Sequence, residues 1–193
     1  MRPSLLALGA FTVLLAGCAT QPPPPKTPAE HTIEAPHDHP TTTTTAAAAP
    51  AVDPIEHALD EVALIHGAAG PWAVAGYRMS EHALVVLGLQ RGSFDLQIVH
   101  WTPKQVKYAC IADGAAASSG ASLGKLNLSL VETTAENVLT VYRNKKTGRS
   151  IALRPSASFA TRYADTPRDK AREIGREVMH LPDDQVFEEV AAK

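Results

Sequence analysis

The sequence predicts an α+β domain in which an antiparallel sheet of four or five strands packs with helices placed before and after it. Three observations carry this. Apolar residues recur at three- and four-residue steps up to Gly88, the period changes to two after Gly92, and helical spacing returns from Arg168 to His180. No TIM-barrel or Rossmann pattern accompanies them.

The first helix is expected to open at Asp53-Pro54-Ile55-Glu56. Asp53 can cap the first amides, Pro54 suits the first helical position and Glu56 completes a capping box. Ile55, Ala58, Leu59, Val62 and Ile65 or His66 form its apolar face, and Gly67 ends it. A second helix runs from Pro71 through Tyr77, Leu84 and Leu87 to Gly88, which makes His66 to Gly70 a tight loop. Phe94, Leu96, Ile98 and His100 then alternate as a strand, and Val106, Tyr108 and Cys110 do the same in the next segment. Leu126-Leu128-Leu130 and Val138 to Tyr142 continue the pattern. Asn144 to Gly148 supplies a turn into Ser150 to Leu153. Short connections between these strands imply antiparallel pairing throughout.

The chain has 193 residues, of which 45% are hydrophobic, 20% charged and 5% aromatic, and its 15 prolines crowd toward the front. That composition suits one globular unit of ~140 residues behind a disordered leader. Arg2, the apolar run Leu5 to Leu15, and Leu15-Ala16-Gly17-Cys18 form a short signal with a lipobox. The apolar run is too short for a permanent transmembrane helix, which needs ~20 residues. The pattern resembles bacterial lipoproteins, which implies cleavage after residue 17 and acylation of Cys18, with diacylglycerol on its sulfur and a fatty acid such as palmitate on its amino group. Ala19, in place of Asp, implies outer-membrane sorting toward the periplasm in a Gram-negative host, and a cell-membrane lipoprotein otherwise. Residues 18–53, with Pro22 to Pro25, Thr41 to Thr45 and Ala46 to Ala49, read as a tether in extended geometry, leaving residues 54–193 as the domain. His31, His37 and His39 in the tether are weak candidate ligands for Zn²⁺, Cu²⁺ or Ni²⁺; solvated polar residues are the plainer reading.

The formal charge is −2, and residues 1–17 hold only Arg2 among charged side chains. No basic run exceeds Lys145-Lys146, so the clustered cations that neutralise phosphates are missing and nucleic acid is set aside as a partner. The expected partners are the membrane, through the lipid, and a small molecule, with homo-oligomerisation left open.

Two passages, His66-Gly67-Ala68-Ala69-Gly70-Pro71-Trp72 continuing to Gly76-Tyr77-Arg78-Met79, and Cys110-Ile111-Ala112-Asp113-Gly114 continuing to Gly120-Ala121-Ser122-Leu123-Gly124-Lys125-Leu126-Asn127, resemble the FmdE family of formylmethanofuran dehydrogenase proteins in order and spacing. The resemblance covers about residues 55–160 and implies an α+β fold with an antiparallel sheet. It also implies zinc or an unassigned metal near the first loop and the cysteine of the second motif. The family's first motif reads H-G-H-x-C-P or H-G-H-x-G-P. Here His66 matches, whereas Ala68 replaces the second histidine and Gly70 stands where many members have cysteine. The cysteine-rich C-terminal zinc module of longer members has no counterpart, since no cysteine follows Cys110.

Chemically, a catalytic zinc takes three protein ligands and an open position, and His66, Cys110 and Asp113 would supply nitrogen, sulfur and oxygen. The plainer reading has His66 closing its loop, Cys110 buried as a small hydrophobe and Asp113 capping a helix that begins at Gly114. With Cys18 acylated, Cys110 is the only thiol left, so an internal disulfide is excluded; as a nucleophile it would need a base such as His66 or His100. No nucleophile-elbow, Walker or Cys-x-x-Cys signature points to an enzyme. Gly120, Ser122, Gly124, Lys125 and Asn127 suggest a loop whose amides and lysine cradle a small carboxylate or pterin-like ligand, with Tyr77 and Arg78 as contributors. Trp72 and Trp101 either line that pocket or fill the core.

Four readings follow. The domain binds a transition metal, zinc first, or a small ligand through a partly degenerate His/Cys/Asp site outside the cytoplasm; this reading leads. The others are an enzyme using Cys110 or metal-bound water, an interaction module whose metal site has been lost, and a tether that delivers metal. The oxidoreductase activity of the dehydrogenase complex does not follow from family membership, because fold does not fix function.

Overall fold

The computed structural model describes residues 53–191, and they hold α1 (Pro54–His66), α2 (Pro71–Leu87), β1 (Leu96–Thr102), α3 (Val106–Ser119), β2 (Leu128–Glu132), β3 (Leu139–Asn144), β4 (Ser150–Pro155), α4 (Ala157–Arg162), α5 (Ala171–His180), α6 (Asp183–Val186) and β5 (Phe187–Val190). The expected signal peptide, Cys18 and the tether histidines His31, His37 and His39 lie outside these residues. The strands form one sheet in the order β2-β1-β3-β4-β5. The class is α+β and the sheet is mostly antiparallel, as the sequence predicts. The exception is β1–β2, which is parallel, with Ile98 opposite Leu128 and Trp101 opposite Val131.

That parallel pair corrects one element. Val106 to Cys110 is not a strand but the start of α3, which crosses from β1 to β2; a parallel pair needs such a crossover, since a tight turn joins only antiparallel strands. The helix is buried nearly all round, with Cys110, Ile111, Ala112 and everything from Gly114 to Ser119 out of solvent. It therefore lacks an amphipathic stripe, and three of its residues, Val106, Tyr108 and Cys110, satisfy the strand period by chance. Asp113 is accordingly mid-helix rather than an N-cap. Gly120, at φ 68°, ends α3 where the sequence reading began a loop.

The first helix begins as expected: Asp53 accepts the Ile55 amide at 2.9 Å. The second half of the expected capping box is not formed, because Glu56 pairs instead with Arg172 at 2.7 Å and Arg176 at 2.5 Å on α5. These two guanidiniums hold the Glu56 carboxyl down to about 2. Leu59, Val62, Met79, Ile111, Leu96, Ile98, Tyr142, Ile151 and Leu153 form the core between the helices and one face of the sheet. The periodicity of the sequence gives no sign of α4, α6 or β5. The last pairs along β4, with Arg154 opposite Glu188. Among the described residues no helix is long and apolar enough to cross a membrane.

Candidate functional site

At the start of α2 the chain encloses a cavity of about 650 Å³. Its walls come from three stretches: His66 to Ala73 with the α1–α2 turn, Val106, Lys107 and Cys110 on α3, and Tyr163 to Thr166 with Arg168 and Ala171 before α5. Trp72 fixes their mutual position. Its indole N–H donates to the Tyr163 carbonyl at 2.8 Å, and its ring meets Tyr108 and Phe159 edge-on at centroid distances of 5.1 and 5.2 Å. The Lys107 ammonium lies 5.3 Å from the centroids of both Trp72 and Tyr108, a cation held over aromatic faces.

Two of the sequence candidates, His66 and Cys110, line this cavity, and the third is next to them. His66 Nδ1 and Asp113 Oδ2 are 2.8 Å apart, joining the last turn of α1 to the middle of α3. Because Cys110 and Asp113 are three residues apart on a helix, they share a face. The contact between His66 and Asp113 engages only Nδ1 of the imidazole, and the Cys110 thiol donates to the Lys107 carbonyl at 3.2 Å. Burial, reinforced by the Asp113 charge, pushes that thiol up to about 12, so it stays protonated at neutral pH. Among the described residues no three His, Cys, Asp or Glu side chains are grouped so as to hold a metal ion. His66, Cys110 and Asp113 are thus brought to one side of the cavity, without forming a grouped three-ligand set among the described residues.

His100, one of the two bases considered, is buried with Nδ1 2.9 Å from the Thr140 hydroxyl and Nε2 3.1 Å from the Tyr108 carbonyl, so both nitrogens are engaged. The Gly120 to Asn127 loop lies apart from the cavity walls and bonds largely within itself, although Asn127 Nδ2 is buried without a partner among the described residues. Asn127 accepts the Ser122 amide at 3.0 Å, Ser122 Oγ accepts the Lys125 amide at 3.2 Å, and Lys125 Nζ donates to the Gly120 carbonyl at 2.8 Å and sits over Phe94. Gly124 is exposed at the tip of this loop. Tyr77 donates to Glu61, while Arg78 binds the Val178 carbonyl and Asp183. These seven side chains and glycines thus hold α2, α5 and the loop in place, and none lines the cavity.

The residues that sequence reasoning missed are Lys107, Thr166 and Arg168. Lys107 becomes visible once α3 is read as a helix, since it is one turn before Cys110. Thr166 Oγ1 is buried without a hydrogen-bond partner and lines the cavity. Neither Lys107 nor Arg168 has a carboxylate partner among the described ion pairs, although Asp165 also lines the wall. At α2 the N-cap is Gly70, without a side-chain cap, and Pro71 follows, so the amides of Trp72 and Ala73 begin the helix without acceptors inside it.

Comparison with curated proteins returns no match. A family model described as FmdE, molybdenum formylmethanofuran dehydrogenase operon, matches residues 65–188, a span that takes in every residue lining the cavity, and the chain belongs to the FmdE family.

Proposed function

We propose that this protein is a membrane-tethered FmdE-family domain that binds a small organic anion outside the cytoplasm. Acylated Cys18 and residues 18–53 provide the anchor and spacer, and the cavity of the domain provides the site. The observation that carries the reading is the cavity's lining: Lys107 and Arg168, two cations without carboxylate partners among the described residues, beside a buried Thr166 hydroxyl without a partner among them and the uncapped start of α2. Helix N-termini favour negative charge because their first amides point outward along the dipole. The remaining wall is apolar, with Pro71, Trp72, Val106 and several alanines, which suits a ligand with an apolar or aromatic body and a charged end. The small residues Ala68 and Gly70, at the positions where the family motif carries histidine and cysteine, leave this volume open. With Cys110 held as a thiol by burial, binding is the role these observations support best.

Calorimetric titration of residues 48–193 with benzoate, succinate and inorganic phosphate tests this, alongside elemental analysis of the same preparation. Binding of at least one probe is expected, weakened roughly tenfold by Lys107→Ala and by Arg168→Ala, the loss of one charge-assisted hydrogen bond each. Lys125→Ala should leave it unchanged. Absence of binding by all three probes, or about one zinc per chain lost in both His66→Ala and Cys110→Ala, overturns the anion reading.

A further inference from the structure

Helices α2 and α3 both begin at the cavity, with Pro71 to Ala73 and with Val106 and Lys107 on its walls, and both end at another pole of the domain, at Gly88 and Gly120. At 1.5 Å per residue the 17 residues of α2 set the two about 25 Å apart. Three loops form this second pole, residues 88–95, 120–127 and 144–149, and hydrogen bonds tie them together. The Gly92 amide donates to the Ser119 carbonyl at 2.7 Å, the Lys145 amide to the Asp95 carbonyl at 2.8 Å, and Lys125 Nζ to the Gly92 carbonyl at 3.4 Å. Asn144 and Arg149 donate to the Leu87 and Val86 carbonyls in the last turn of α2, at 3.2 and 2.9 Å.

The charge of this pole is opposite to that of the chain. Its loops hold five cations, Arg91, Lys125, Lys145, Lys146 and Arg149, against the one carboxylate of Asp95, a net +4 in a chain of formal charge −2. Only Arg91 among the five forms an ion pair within the described residues, with Glu61 at 2.5 Å. The longest basic run in the sequence is Lys145-Lys146, so it is the fold that gathers these cations. The same loops leave three large apolar residues in water: Phe94, Leu123 and Leu126 are 69%, 72% and 89% exposed. Leu126 stands at φ 55°, the only positive φ outside glycine among the described residues. Asn or Gly would suit both that backbone and water, and leucine suits neither. Beside it, Lys125 Nζ lies 5.1 Å from the centroid of the Phe94 ring, which places charge and apolar surface side by side.

We propose that this pole rests on a lipid bilayer bearing anionic headgroups, with Phe94, Leu123 and Leu126 entering the boundary of headgroups and acyl chains and Lys125, Lys145, Lys146 and Arg149 facing the phosphates. The proposal rests on the tethered reading above, which puts the domain beside a membrane. Apolar side chains ringed by cations are the composition that binds an anionic interface, since burial and charge attraction add there. A soluble polyanion would use the cations and leave the three apolar residues in water. The tether does not choose the orientation: the 35 residues from Cys18 to Val52 reach on the order of 100 Å at ~3.1 Å each, several times the span of α2. Docking by this pole holds the cavity about 25 Å from the lipid, at the other end of α2. Lys125 and Arg149 also bond carbonyls at the ends of α3 and α2, a capping role sufficient in itself. Lys145 and Lys146 make no side-chain bond among the described residues, so they carry the test.

Co-sedimentation of residues 48–193, a compact unit with its own core and without the lipid anchor, measures this contact directly. On phosphatidylcholine vesicles with about 30% phosphatidylglycerol, half of the domain is expected to sediment at roughly 1 mM lipid in low salt. At least about tenfold more lipid is expected on pure phosphatidylcholine, or in ~0.5 M salt. Each cation near an anionic surface raises partitioning roughly fivefold, so Lys145→Gln/Lys146→Gln should weaken binding about 25-fold. Leu123→Ser/Leu126→Asn should weaken it roughly tenfold while Tm stays at or above that of wild type, because asparagine relieves the backbone at position 126. No sedimentation with anionic vesicles at about 10 mM lipid overturns the proposal, as does equal binding to both kinds of vesicle. So does a leucine variant that binds like wild type beside a lysine variant that does not, a pattern that assigns the pole to a soluble polyanion. The tether is scored apart, by whether Cys18→Ser releases the full chain from salt-washed membranes, and its failure leaves the vesicle result standing.

Discussion

Gly114 of α3 lies so close to Ala73 of α2 that a Cβ on the glycine would stand 1.7 Å from the Ala73 carbonyl oxygen. The relation is reciprocal one turn along, where a Cβ on Gly76 would stand 2.0 Å from the Ile111 carbonyl oxygen. The two helices therefore touch backbone to backbone, and two glycines set their separation. The cavity depends on it, since Ala73 and Trp72 form one wall and Lys107 and Cys110 another.

Gly114→Ala must push these helices apart, because the clashing atom is backbone and cannot rotate away. Overpacking of this kind costs about 1–3 kcal/mol, which for a domain of this size lowers Tm by roughly 3–10 °C. Gly124→Ala is the matched control: the nearest atom to its added Cβ is the Ser122 hydroxyl at 3.9 Å, and its stability should stay within about 0.5 kcal/mol of wild type. Thermal unfolding of both variants decides the point, and equal midpoints would show that the helices separate without cost.

His100 makes stability depend on pH. A carbonyl only accepts, so the bond to Tyr108 places the proton on Nε2, and Nδ1 then accepts from the Thr140 hydroxyl. Burial lowers the pKa of this imidazole from 6.5 to about 4, against hydrogen bonds to the backbone that work in the other direction. The unfolded chain takes up the proton near pH 6.5 and the folded one does not. Stability is thus full above 6.5 and falls as the pH drops toward 4, by on the order of 3 kcal/mol in total. Glu56 acts lower: its depressed carboxyl keeps its contribution above about 4.5 and loses it as the pH falls toward about 2. Urea midpoints measured from pH 7.5 to 5 should therefore decline in the wild type and flatten in His100→Gln. An unchanged wild-type midpoint over that range would contradict the burial argument.

How far the sequence reveals all this depends on whether a segment has two distinguishable faces. The first helix, with Asp53 at its head and Gly67 at its end, and the strand around Ile98 each expose one side, and their periods are legible. Helix α3 exposes almost nothing, so its composition of small residues carries the only signal, and the parallel β1–β2 pair is hidden with it. The same ambiguity splits the site. Cys110 and Asp113 are legible as a pair with His66, but Lys107 is not, because a strand would turn it away from Cys110 at odd spacing. Arg168 and Thr166 have no local signature at all; they reach the cavity only because Trp72 is bonded to Tyr163. Lys125 and Asn127 resemble ligand residues because a glycine-rich loop with a lysine suits an anion, and equally suits a loop that binds itself.

Restoring the family motif should restore a metal site. Ala68 is exposed on the cavity wall, and Gly70 has φ −77° with only Ala171 Cβ, at 3.9 Å, near an added Cβ, so both positions accept larger side chains. In Ala68→His/Gly70→Cys the new imidazole and thiol face a cavity already lined by His66 and Cys110, a nitrogen and sulfur set suited to Zn²⁺. Because Cys110 must lose a proton to bind, zinc uptake by the variant should weaken as the pH falls. After exposure to zinc and removal of the excess by gel filtration, the double variant should retain about one zinc per chain and the wild type less than about a tenth of that. The variant should also melt higher with zinc than without, since a ligand bound only by the folded state stabilises it. A double variant that takes up no zinc would show that the cavity walls are not the frame of a metal site. A wild type that retains one zinc would show that the His66–Asp113 bond and the buried thiol yield to a metal after all.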